Sequence, residues 1–183
     1  MPVSQLDEKA ALVVVDLQKG IVGFQLAHPT GEIVGRSAKI AKAFRERGLP
    51  VVLVNVNGRA PGRAEAGMPH FELPPDFADI VPELGPEVGD YVVTKQRVGA
   101  FHGTDLDAYL KKQGVTQVFF TGIATSAGVE STARSAHDLG YHLVFVKDAM
   151  TDRDAQVHQH TVERVFPRIG ETATTDEVLE LVR

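Results

Sequence analysis

Cysteine is absent from this sequence. Its absence excludes disulfides, thiolate metal sites and cysteine nucleophiles together. Long apolar runs are also missing, since no stretch reaches the roughly 18 apolar residues that a membrane-spanning helix needs. The first residues, "MPVSQLDEKAALVVVD", lack the basic region and long apolar segment of a signal peptide. We therefore predict a cytoplasmic protein that makes no membrane contact.

An excess of positive charge is missing as well. The net charge of −5 argues against a broad surface for nucleic acid or anionic lipid. Hydrophobic residues make up 43% and charged residues 23%, which is typical of a globular protein. A chain of 183 residues suits one domain with a sizeable core, and we predict a single domain over residues 1–183.

Apolar runs alternate with segments of helical period along the chain. The apolar runs predict buried strands at 11–16, 49–56, 91–95, 117–123 and 142–149. The helical periods lie at 32–48, 104–114, about 129–139, about 154–165 and 176–181. Such alternation predicts an α/β fold with a mostly parallel sheet and helices on both faces. Residues 57–90 are rich in proline and glycine and show no period, so we predict a long ordered excursion over one end of the sheet, with a lid as one candidate role.

Polar residues follow three of the predicted strands. Asp16 follows the first strand, Lys95 ends the third, and the turn 122–128 follows the fourth. Ligands of doubly wound sheets bind beyond the carboxyl ends of the strands. We expect Asp16 and Lys95 to converge there within hydrogen-bond reach, where the lysine keeps the carboxylate ionised or desolvation makes it neutral. The alternative is that these charges only solvate the edge of the sheet.

Four segments of the sequence resemble the isochorismatase-like hydrolase family, which includes nicotinamidases, carbamoylsarcosine amidohydrolases and isochorismatases. They are "VVVDLQKG" (13–20), "VTKQRVGAFHGTDL" (93–106), "TGIATSAGVESTARSAHDLGY" (121–141) and "VKDAMTD" (146–152). The resemblance covers nearly the whole chain, in the family's order and spacing. It implies a three-layer α/β/α fold whose doubly wound six-stranded sheet has the order 3-2-1-4-5-6. It also implies a cis peptide between Ile123 and Ala124.

The family resemblance also suggests how the site works. The Asp–Lys–Cys triad of many members maps onto Asp16, Lys95 and Gly128, and the third position differs. Isochorismatases proper also carry glycine there, and they hydrolyse a vinyl ether by first protonating a carbon atom. The resemblance therefore implies that Asp16 is an acid, that Lys95 orients it, and that neither a cofactor nor a metal is needed. Two alternatives stay open: an amide hydrolase in which Asp16 activates water, and an inactive protein that binds a small molecule.

Four further residues are candidates for substrate binding: Ala124, Arg97, Phe101 and Phe24. The backbone N–H groups of Ala124 and Gly128 are expected to point into the pocket. Isochorismatases proper carry tyrosines at the positions of Val98 and Ala124, which predicts a different and more apolar ligand here.

The sequence offers no set of metal ligands, and it suggests that the chain associates with copies of itself. The zinc ligands of the family's nicotinamidases have no counterpart in "VNVNGRAPGR" (54–63), and the histidines of "HQH" (158–160) lie two apart on a helix, so we predict no metal. The expected partners are a small-molecule substrate and further copies of the chain. We predict a homodimer or homotetramer with an apolar contact near "RVFPRIGE" (164–171).

Overall fold

A computed structural model of the protein describes residues 3–65 and 73–183. Its centre is a six-stranded sheet in which every pair of neighbouring strands is parallel. The strands lie in the order β3-β2-β1-β4-β5-β6. Their bounds are Ala10–Val15 (β1), Val51–Val56 (β2), Tyr91–Lys95 (β3), Gln117–Ile123 (β4), His142–Thr151 (β5) and Glu171–Ala173 (β6). The predicted fold class and strand order are confirmed.

Helices cover both faces of the sheet. Their bounds are Lys19–Val22 (α1), Thr30–Glu46 (α2), Leu106–Lys112 (α3), Glu130–Asp138 (α4), Ala155–His160 (α5) and Thr175–Val182 (α6). Single π-helical turns precede α4, at Thr125–Val129, and follow α5, at Thr161–Val165. The five predicted helices are present, and their ends agree to within a few residues except where these π turns replace regular helix. The short α1 was not predicted, and the sixth strand that the family resemblance implied had not been located in the sequence. Within residues 3–65 and 73–183, no helix is long and apolar enough to cross a bilayer.

The burial of β1 explains its continuous apolar sequence. All six of its residues are buried, because β1 lies between β2 and β4 and both of its faces are covered. Leu12 and Val14 face a first core cluster that includes α2 and α6, whereas Val13 and Val15 face a second cluster that includes α3 and α4. The sheet is therefore held between two apolar layers, and its carboxyl end is left for polar residues.

The segment 164–171 contributes apolar side chains to the core of its own chain. Phe166 is fully buried, and its ring stacks on that of Phe145 with centroids 3.7 Å apart. Val165 and Ile169 pack against the same core cluster. The apolar side chains of this segment are thus used inside the chain, because the turns that follow α5 direct them toward β5. A subunit contact near residues 164–171 stays a prediction, as does association as a homodimer or homotetramer.

The excursion 57–90 lies partly outside the described residues, at 66–72. Its later part folds back onto the turn that follows β1. Ile80 forms an antiparallel bridge with Gln18, and the Val81 N–H donates to the carbonyl oxygen of Leu17 at 3.2 Å. The described part of the excursion therefore packs beside the carboxyl end of the sheet.

Gly122 in β4 provides a test of the close packing of β4 against β1. Its φ of 118° is one that only glycine adopts readily, and a Cβ there would overlap the carbonyl oxygen of Val15 in β1. We expect Gly122→Ala to lower the free energy of unfolding by about 4 kcal/mol or more, or to prevent folding. Gly140→Ala is the matched control, since Gly140 also has a positive φ, of 92°, but a Cβ there meets nothing within 4 Å. The control should lower the free energy of unfolding by about 1 kcal/mol. Urea denaturation measures both variants, and equal losses would contradict the close approach of β1 and β4.

Candidate active site

The site begins where β1 ends. Asp16 has a φ of 54°, in the left-handed region that short polar side chains tolerate better than others. Its N–H donates to the carbonyl oxygen of Val54 in β2 at 2.9 Å. The backbone therefore leaves the strand in a sharp turn, which holds the carboxylate at the carboxyl end of the sheet.

Lys95 reaches Asp16 across an intervening strand. It is the last residue of β3, and β2 lies between β3 and β1. Strands two apart are separated by about 10 Å, a span that a lysine and an aspartate side chain cover together. Lys95 Nζ donates to Asp16 Oδ2 at 2.8 Å, and both residues are buried. The predicted convergence of the two side chains is confirmed.

The second carboxylate oxygen of Asp16 takes no part in this ion pair. Asp16 Oδ1 is buried and has no hydrogen-bond partner among the described residues. Burial raises the pKa of Asp16 from 3.8 to about 6, and this effect exceeds the opposing influence of the Lys95 charge and hydrogen bond. Both the acid and the carboxylate forms of Asp16 are therefore available close to neutral pH, and Oδ1 can either donate or accept a proton.

Gly128 lies directly against this carboxylate. It belongs to the π turn Thr125–Val129, which follows β4 and the cis peptide between Ile123 and Ala124. The predicted cis bond is thereby confirmed. A Cβ at Gly128 would lie 3.1 Å from Asp16 Oδ2 and 3.1 Å from Val15 Cγ1. A side chain at this position would therefore press against the carboxylate and the end of β1.

Two residues that were not predicted anchor the turn. The Asp152 carboxylate accepts hydrogen bonds from the Ser126 N–H at 2.7 Å and the Ser126 hydroxyl at 2.8 Å. His158 Nδ1 lies 2.8 Å from the Thr125 hydroxyl oxygen. Asp152 ends the last of the four family segments, which was the available signal. His158 was considered only as part of a metal pair.

Gln18 is a further unpredicted residue of the site. Its side chain is fully buried and makes three hydrogen bonds: it donates to the carbonyls of Val56 and Phe77 and accepts from the Val56 N–H. These bonds join the end of β2 to the returning excursion, two residues after Asp16. The turn around Asp16 is therefore held from both sides.

Three of the residues predicted to bind substrate lie in different surroundings. Phe24 is 39% exposed, and the Arg153 guanidinium lies 4.9 Å from its ring centre, close to the anchored turn. Arg97 is partly exposed and donates to the carbonyl oxygens of Gln96 and Arg59. Phe101 packs against the second core cluster, with its ring 6.1 Å from that of Tyr141. The contacts of Phe101 are thus with the core, and a role for it or for Arg97 in substrate binding stays a prediction.

The described residues contain no group of three or more histidine, aspartate or glutamate side chains placed to hold a metal ion. The candidate site brings together the buried carboxyl group of Asp16, the buried ammonium group of Lys95 and Gly128, which faces them.

These features define a class: a doubly wound α/β protein with a carboxylate–lysine pair at the carboxyl ends of its strands. Comparison with known proteins is more specific, because the family model of the isochorismatase domain matches residues 10–177. The chain belongs to the isochorismatase family.

Similar proteins agree with this assignment. The chain is 42% identical to the isochorismatase family protein YwoC of Bacillus subtilis, over 96% of this chain and 95% of that one. It is 31% identical to the ureidoacrylate amidohydrolase RutB of Pseudomonas syringae, over 81% and 73%. An isochorismatase family protein from Burkholderia thailandensis superposes with a TM-score of 0.93 at 36% identity, covering 97% of each chain. The N-carbamoylsarcosine amidase from Thermoplasma acidophilum gives 0.76 at 32% identity, covering 92% and 97%. These relatives support a hydrolase.

The acidity of Asp16 can be tested directly. Lys95→Met keeps an unbranched side chain of similar length but removes the charge and the hydrogen bond that lower the pKa of Asp16. We expect the pKa of Asp16, followed by carboxyl ¹³C NMR, to be about 6 in the wild type and higher in the variant. Lys111→Met serves as the control, because Lys111 pairs with Asp107 on the surface of α3. A lower Asp16 pKa in Lys95→Met than in the wild type would show that Lys95 does not stabilise the ionised carboxylate.

Proposed function

We propose that this isochorismatase-family hydrolase cleaves a small vinyl ether, with Asp16 as the general acid and with no cysteine nucleophile. The observation that carries the proposal is the free, buried Oδ1 of Asp16, on a carboxyl group whose pKa is raised to about 6. Gly128 supports it, because the place of a nucleophile is taken by a residue without a side chain. The chemistry requires neither a metal nor a cofactor.

The reaction begins with proton transfer to carbon. The protonated Oδ1 of Asp16 gives its proton to the terminal methylene carbon, and the π electrons of the double bond form the new C–H bond. The adjacent carbon becomes an oxocarbenium centre. Asp16 becomes a carboxylate at the same moment, and the Lys95 ammonium, 2.8 Å away, stabilises that charge.

Water then completes the hydrolysis. A water molecule adds to the oxocarbenium carbon and returns a proton to Asp16, which restores the acid. The resulting hemiketal breaks its bond to the former ether oxygen, releasing an alcohol and a carbonyl compound.

The acidity of Asp16 suits this role at moderate pH. With a pKa of about 6, roughly a tenth of the molecules carry the protonated acid at pH 7. An ordinary aspartate would be protonated in roughly one molecule in a thousand at that pH. Burial therefore raises the population of the active form by about two orders of magnitude.

A second candidate is hydrolysis of an amide by water that Asp16 activates as a base. The names of two relatives favour it, since one is a ureidoacrylate amidohydrolase and another an N-carbamoylsarcosine amidase. In this reaction the ionised Oδ1 would accept a proton from water as the water attacks the amide carbon. The two candidates use opposite protonation states of the same oxygen.

The pH dependence of kcat separates the candidates. For the vinyl ether, turnover should fall as the pH rises through about 6, because the protonated acid is lost. For the amide, turnover should rise over the same interval. Mass spectrometry of products from a panel of vinyl ethers and small amides provides the measurement. In both cases Asp16→Asn should reduce kcat about 100-fold or more, and a protein that turns over neither class while binding members of the panel would be a binding protein.

Substitution at Gly128 tests the missing nucleophile. Gly128→Cys should reduce vinyl-ether turnover about tenfold, because its Cβ crowds Asp16 Oδ2, and should yield no amidase. Gly128→Ala is the control, since it introduces the same crowding without a thiol. Circular dichroism of both variants establishes that they fold. Amide hydrolysis that appears in Gly128→Cys but not in Gly128→Ala would identify the site as a cysteine amidase that has lost its nucleophile.

A further inference from the structure

Thr132 connects two parts of the site that are distant in sequence. It lies in the first turn of α4 and is fully buried. Its hydroxyl donates to the carbonyl oxygen of Gly128 at 2.6 Å and accepts from the N–H of Ala100 at 3.1 Å. One side chain thus contacts both the turn that faces Asp16 and the loop that follows Lys95.

The second of these bonds distinguishes Thr132 from an ordinary helical threonine. A hydroxyl that bonds the carbonyl four residues earlier is common in helices and has local consequences only. Ser135 on the same helix makes such a bond to Ser131, at 3.3 Å. Thr132 adds an acceptor role toward another segment, so both its proton and a lone pair are engaged and its hydroxyl has one orientation.

The loop after β3 is pressed against this part of α4. A Cβ at Gly99 would lie 3.2 Å from the carbonyl oxygen of Ser131, and Ala100 is fully buried. The loop therefore packs closely against the helix at the point where the Thr132 bond joins them. Lys95 lies only five residues before Ala100 in the chain.

The contacts form a closed circuit around the ion pair. It runs from Asp16 to Lys95, along the chain to Ala100, and through the Thr132 hydroxyl to Gly128. Gly128 closes it, because a Cβ added there would lie 3.1 Å from Asp16 Oδ2. Thr132 is the link in this circuit that depends on a single hydroxyl group.

We propose that Thr132 is a positioning residue, which holds the Gly128 turn against Asp16 and keeps water from its carboxylate. The proposal deepens the function proposed above and rests on it for the kinetic readout alone. Loss of the hydroxyl separates the loop from the turn, so that solvent enters beside Asp16. Desolvation, the main cause of the raised pKa of Asp16, is then weakened.

Titration of Asp16 tests this without any substrate. Thr132→Val keeps the shape of the side chain and removes the hydroxyl, so the pKa of Asp16 should fall from about 6 toward 3.8. Thr132→Ser retains the hydroxyl and should keep the wild-type pKa. Thr121→Val is the matched control, because Thr121 is equally buried in β4 and its hydroxyl has no partner among the described residues. It should leave the pKa of Asp16 unchanged.

Kinetics supply the second readout. With whichever substrate class the wild type hydrolyses, Thr132→Val should lower kcat about tenfold with little change in KM, and Thr132→Ser should restore it. An Asp16 pKa in Thr132→Val that equals the wild-type value, or rises above it, would overturn the proposal even if the protein hydrolyses vinyl ethers. A lowered pKa in a protein without detectable turnover would support the positioning role and count against the proposed function instead.

Discussion

The buried ion pair between Asp16 and Lys95 is the constraint on which the rest of the site depends. Removing one partner from a buried pair leaves an uncompensated charge, at a cost of about 3–5 kcal/mol. The pair therefore ties the end of β1 to the end of β3 across β2, which lies between them. It also sets the chemistry, because desolvation and the lysine charge act in opposite directions on one carboxyl group and leave its pKa near 6.

The sheet and the ion pair could be predicted from the sequence because each depends on local pattern. Buried parallel strands read as continuous apolar runs, and the polar residue that ends a run lies at the edge where ligands bind. Asp16 and Lys95 both occupy such positions. The strand order, in contrast, came from the family resemblance, since alternation of strands and helices is compatible with several orders.

The residues that hold the turn 125–129 by hydrogen bonds could not be predicted in the same way. Asp152, His158 and Thr132 act through hydrogen bonds to a turn whose π-helical geometry has no signature in hydrophobic periodicity. Their partners lie in other elements, and contact depends on side-chain direction more than on spacing. The segment around Phe166 shows a related limit, because its apolar pattern does not reveal that the Phe166 ring packs on Phe145 inside the same chain.

Lys95 lies on β3, one of the two edge strands of the sheet. Its position links the pKa of Asp16 to the local stability of that edge strand. β3 pairs only with β2 in the sheet, and the side chains of Val92 and Thr94 are exposed. Edge strands open locally at lower free energy than the strands between them. An opening of β3 would withdraw the ammonium group from Asp16 and admit solvent to the carboxylate. Protonation of Asp16 would then be coupled to local unfolding at the edge of the sheet.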